Sequence, residues 1–161
     1  MTKVALVFCF ISCLLANSNN SNAQTQPTQP LTKKVITTKE KWHWGNAQQQ
    51  NNSAGYTQVV KTGNTLYISG IPTSDLSPKG VAKLYEALGE CLKAFGASSK
   101  NVVKETLYTT DIEAMKQCNG PRKEFYQGDF PAASWVQVSR LYEPNAKLEV
   151  DLVAQLDGSK E

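Results

Sequence analysis

The chain has 161 residues, 40% of them apolar and 19% charged, the composition of one ordinary globular domain with enough apolar side chains to bury a core. Its 17 basic and 14 acidic side chains leave a net charge of only +3, spread along the sequence. That excludes the concentrated basic stripe that a nucleic-acid partner requires.

Residues 1–23 read as an export signal rather than as fold. Lys3 supplies a short positive start, residues 4–16 are almost unbroken apolar, and Ser21-Asn22-Ala23 offers small residues for cleavage before Gln24. The apolar run is short for a membrane span, and polar Asn and Ser follow it at once. The expectation is an exported chain, periplasmic or secreted, with no membrane attachment after cleavage. Cys13 permits a lipoprotein, but the apolar run continues through Leu14 and Leu15, which makes that the weaker choice. Cleavage removes Cys9 and Cys13 and leaves Cys91 and Cys118.

Residues 24–52 form a polar, partly flexible arm rich in Gln, Asn, Thr and Lys. Trp42-His43-Trp44 interrupts it, and two tryptophans are too apolar to float free, so they are expected to dock, a neighbouring subunit being one place for them. His43 is the only histidine and has no Cys, Asp or Glu at ligand spacing, so it reads as a surface residue. No metal or cofactor is expected.

The folded domain spans residues 53–156, with 157–161 as a tail. Residues 56–61 and 65–69 alternate around the Thr62-Gly63-Asn64 turn and predict a hairpin, ended by Gly70-Ile71-Pro72. Ser77-Pro78 starts a helix that carries Val81, Leu84, Tyr85, Leu88, Cys91, Leu92 and Phe95 at helical spacing and closes at Gly96. Residues 102–109 predict a third strand. Thr110 or Asp111 caps a second helix, which Asn119-Gly120-Pro121 kinks or splits. Strands over residues 134–140 and 148–154 finish the domain, with Glu149 and Asp151 on the face opposite Leu148, Val150 and Leu152. Two helices cover one sheet face, so the other must meet something else, and self-association is the economical answer. Parallel crossover helices offset Cys91 from Cys118 by roughly 9 Å along their axes at about 1.5 Å per residue. A disulfide needs its Cα atoms within about 7 Å, so buried free thiols are expected.

The stretch from Gly55 to Ala154 resembles the RidA/YjgF family. The residues that carry the resemblance are Gly55-Tyr56, Thr62-Gly63-Asn64, Ile68-Ser69-Gly70-Ile71-Pro72 and Asn119 before Phe125-Tyr126. The most specific are Phe130-Pro131-Ala132-Ala133-Ser134-Trp135-Val136-Gln137-Val138 with Lys147-Leu148-Glu149-Val150. The resemblance implies an α+β, chorismate-mutase-like sheet of five to six strands with two helices on one face. It also implies a homotrimer with ligand clefts between subunits. In active members an arginine after the Pro-Ala pair holds the carboxylate of a 2-aminoacrylate-type enamine or imine, and a glutamate on the last strand positions the water that hydrolyses it.

Carried onto this sequence, the resemblance makes Glu149 the catalytic candidate and Tyr56, Ser69, Gly70, Asn119, Ala133 and Trp135 the substrate-binding candidates. Ala133 stands where the family has arginine, and alanine offers nothing like the two-pronged contact of a guanidinium with a carboxylate. Arg140, an odd number of residues along the strand, points to the other face, which leaves Arg122 or a lysine from another subunit as the cation that could substitute, with nothing in the sequence to support either. Whether the chain is an enzyme is therefore left open. The leading reading is a protein that binds a small metabolite in interface clefts, with classical 2-aminoacrylate deaminase activity weak or absent. One alternative is an imine or enamine deaminase that uses Glu149 to direct water on an atypically anchored substrate. The other is a structural or interaction trimer. Glu149 reads equally as a hydrogen-bonded structural acid, and Tyr56 and Asn119 equally as structural residues.

Overall fold

The structure is a computed structural model and describes residues 38–45, 47, 48, 52 and 55–158. The export segment, most of the polar arm and the last three residues lie outside these.

Six strands form one mixed sheet in the order β1-β2-β3-β6-β4-β5. They are β1 (Lys39–Trp42), β2 (Val59–Thr62), β3 (Thr65–Thr73), β4 (Val102–Thr109), β5 (Ala132–Gln137) and β6 (Leu148–Gln155). Among the described residues, helix α1 (Pro78–Lys93) joins β3 to β4, and helices α2 (Ile112–Gln117) and α3 (Gly120–Tyr126) join β4 to β5. Every neighbouring pair is antiparallel except β4 and β5. The α+β architecture is as expected, with the helices on one face.

The first helix starts where the sequence says it should. Ser77 accepts a hydrogen bond from the Gly80 amide at 3.2 Å, Pro78 follows at the first helical position, and Gly96 turns the chain away at φ +70°. Its apolar stripe of Val81, Leu84, Tyr85, Leu88, Cys91 and Leu92 is buried against Leu66, Ile68, Leu107, Val150 and Leu152 of the sheet. Asp111, not Thr110, caps α2 by accepting from the Ala114 amide at 2.9 Å. The Asn119-Gly120-Pro121 step splits the expected second helix into α2 and α3.

Three elements depart from the sequence reading. Lys39–Trp42, placed in the polar arm, is the edge strand β1 paired with β2. Its two lysines and Glu40 suit an exposed edge, and Trp42 packs on the core of its own chain, with Trp44 edge-on to it at 4.9 Å. The strand expected to end at Gly70-Ile71-Pro72 runs on to Thr73. Ile68 pairs with Leu152 and Ile71 with Val150, so three residues of β3 span two of β6. The extra residue is a bulge at Ser69-Gly70, which returns both Ile68 and Ile71 to the core side. Finally, β5 stops at Gln137 instead of reaching Arg140. Cys91 and Cys118 are both free, as expected, but only Cys91 is buried.

Candidate functional site

The bulge builds the site. Ser69 donates its hydroxyl proton to the Thr57 carbonyl at 2.8 Å, its amide donates to the Gln58 carbonyl at 2.9 Å, and the buried Gln58 side chain donates to the Ser69 carbonyl at 2.9 Å. This clasp ties the start of β2 to the bulge and sets Tyr56 beside it. At Gly70 the chain passes so close to the neighbouring strand that a Cβ would overlap the Glu149 carboxylate. Glycine is what lets that carboxylate lie across the bulge.

The result is a cavity of about 400 Å³ lined by Tyr56, Ser69, Gly70, Pro72, Tyr142, Glu143 and Glu149. That is the scale of a small-molecule site. Four predicted residues, Tyr56, Ser69, Gly70 and Glu149, meet here. Tyr142 and Glu143, on the connection between β5 and β6, were missed, because nothing in their local sequence marks a loop that folds back over a bulge.

Burial raises the pKa of Glu149, and the like charge of Asp151 two residues on adds to it. Asp151 is raised by burial too, but hydrogen bonds from Thr106 and Tyr108 and the charge of Lys104 oppose the rise. Both acids lie on the open sheet face, as strand alternation requires: Glu149 is opposite Tyr108 and Asp151 opposite Thr106.

The remaining predicted residues lie elsewhere. Ala133 pairs with Glu105 and Trp135 with Leu107, so both sit on the helix-covered side of the sheet, at its β5 edge. Asn119 lies in the helical layer at the start of α3, its Oδ1 buried with no hydrogen-bond partner among the described residues. One chain therefore does not bring Asn119, Ala133 and Trp135 to Glu149. The reason is parity: Glu149 and Ala133 point to opposite faces of one sheet.

Beside Ala133 stands a cluster around Glu105, an acid the sequence reading did not single out, with Arg122 on it. Glu105 is fully buried and accepts from Arg122 Nε at 2.7 Å and from the Tyr85 hydroxyl at 2.5 Å. The Arg122 guanidinium is 5.2 Å from the Tyr126 ring centre, 5.5 Å from Phe130 and 5.6 Å from Trp135. Burial works against its charge, but Glu105 outweighs that, and its pKa lies above the ordinary value. Burial first, and Glu105 second, push the Tyr85 and Tyr126 hydroxyls well up. The one available signal was an acid on β4 in step with Leu107 and Thr109.

Set beside known proteins, residues 47–156 match the family model described as Endoribonuclease L-PSP. The chain belongs to this family, the RidA/YjgF proteins. It is 36% identical over 108 residues to a rat 2-iminobutanoate/2-iminopropanoate deaminase, covering 62% of this chain and 78% of the relative. The human protein of the same name is 35% identical over the same shares. Among solved structures, a YjgF-family member from Mycobacterium tuberculosis superposes with TM-score 0.66 at 20% identity, over 74% of this chain and all of the other. One from Neisseria meningitidis gives 0.62 at 18%, over 76% and 98%. The fold is that of these RidA/YjgF structures.

Proposed function

We propose that this RidA-family protein binds a small metabolite in clefts between the subunits of a homotrimer and has little classical 2-aminoacrylate deaminase activity. The observation that carries the reading is the state of the arginines around Ala133. The position at which the resemblance expects the carboxylate anchor is alanine, and Arg122, whose guanidinium stands nearby, is bonded to buried Glu105. Withdrawing Arg122 to hold a substrate would strand that carboxylate. The split of the predicted residues between two faces also favours a composite cleft. One subunit would supply Tyr56, Ser69, Gly70 and Glu149, and a neighbour Asn119, Ala133 and Trp135. Export through residues 1–23 belongs to the same proposal and would place the protein outside the cytosol.

A second reading has an observation of its own. Glu149 lines a cavity and has a raised pKa, which suits a group that takes a proton from water. Water would add to the C=N carbon of an imine. Glu149 would accept one water proton and return it to nitrogen, then pass the carbinolamine's hydroxyl proton the same way, so that nitrogen leaves as ammonia and the C–O bond becomes a carbonyl.

The test is release of ammonia and 2-oxo acid from freshly generated 2-aminoacrylate, wild type against Ala133→Arg. Ala133 is exposed, so the longer side chain has room. The expected result is a gain of about a thousandfold in the variant, the scale of a restored charge-assisted contact in the transition state. A wild type that is already active, and loses activity in Glu149→Ala, would overturn the first reading in favour of the second.

A further inference from the structure

Resting on that reading of the cavity, we infer that it takes a small organic cation, a protonated amine or an iminium, that carries no carboxylate. The walls are carboxylates, π faces and two phenol hydroxyls. Glu143 and Glu149 bring two carboxylates, and no lysine or arginine is among the lining residues. Tyr56 and Tyr142, 38% and 71% exposed, offer aromatic surface of the kind that attracts ammonium-type ligands once water is displaced. The Ser69 proton is committed to the Thr57 carbonyl, so its oxygen has only lone pairs to present.

Glu149 is the second, independent pointer. Asp151 is relieved by Thr106, Tyr108 and Lys104, whereas burial and the Asp151 charge act on Glu149 with no donor among the described residues opposing them. A half-buried carboxylate in a cavity wall with no donor of its own lacks a partner, and a ligand N–H⁺ supplies one. A ligand carboxylate would instead meet two like charges. The guanidinium beside Ala133 does not offset them, because Glu105 already neutralises it.

The experiment is a calorimetric titration of the full chain with pyrrolidinium and with n-butylammonium, against butyrate at matched ionic strength. Both cations should bind saturably and butyrate should not. Glu143→Gln and Glu149→Gln, each folded by circular dichroism, should each weaken the cations about tenfold, the scale of one charge-assisted contact. Butyrate binding as tightly as the cations, absence of cation binding, or wild-type affinity in the double variant would each overturn the inference. None of the probes is 2-aminoacrylate, so cations that fail to bind overturn this inference and leave the deaminase test of the proposed function standing, whereas hydrolysis of 2-aminoacrylate, itself a carboxylate, would count against both.

Discussion

Arg122→Leu tests whether the guanidinium beside Ala133 is structural. Its side chain is 9% exposed and that of Glu105 0%, with 2.7 Å between Nη2 and Oε2. Removing the cation leaves a fully buried carboxylate that keeps the Tyr85 hydroxyl as a donor but has no charge to balance it among the described residues. Breaking a buried pair from one side typically costs about 3–5 kcal/mol, a large share of the roughly 5–15 kcal/mol that holds a domain together. At about 3–4 °C per kcal/mol for a domain of this size, the melting temperature should fall by roughly 10–20 °C. The assay is thermal unfolding followed by circular dichroism at pH 7 and one fixed chain concentration. Glu105→Leu combined with Arg122→Leu should recover most of the loss, because no charge is then stranded. A single variant that melts within a few degrees of wild type would refute the reasoning. So would a double variant no better than the single one.

Other outcomes follow from the same geometry. Gly70→Ala should push the Glu149 carboxylate out of the cavity, so ligand binding is lost while far-UV circular dichroism stays native. Glu149 has its folded pKa raised, by burial first and Asp151 second, so its ionisation opposes folding once pH rises above the unfolded carboxylate range. Glu149→Gln should therefore be more stable than wild type near pH 7 by urea unfolding, and the gain should vanish towards pH 4. Burial pushes the Cys91 thiol up to about 12. Its peptide should stay unlabelled by iodoacetamide at pH 8 in the native protein and label fully in guanidinium, as read by mass spectrometry.

The parts of the fold that were legible are those that local chemistry fixes. Ser77-Pro78 and Gly96 bracket α1, the Asn119-Gly120-Pro121 step divides α2 from α3, and alternation through β6 sends Glu149 and Asp151 away from the core. The β3 bulge was not legible, because Ser69-Gly70 looks like a strand end until β6 is laid beside it. Nor was β1, whose Lys-Glu-Lys pattern is polar until Trp42 reaches the core and β2 offers its edge.

The same division holds for the site. Sequence alone determined the family resemblance, four of the cavity residues and the alanine where a guanidinium would be expected, because residue identity and spacing are local properties. Only the tertiary structure decided the rest. It folds Tyr142 and Glu143 over the bulge and sets Ala133 on the face opposite Glu149. It also brings Arg122 from α3 onto a buried acid of β4, 17 residues earlier in the chain. Such contacts depend on which strands become neighbours and which face each side chain takes, and the packing of helices on the sheet settles both.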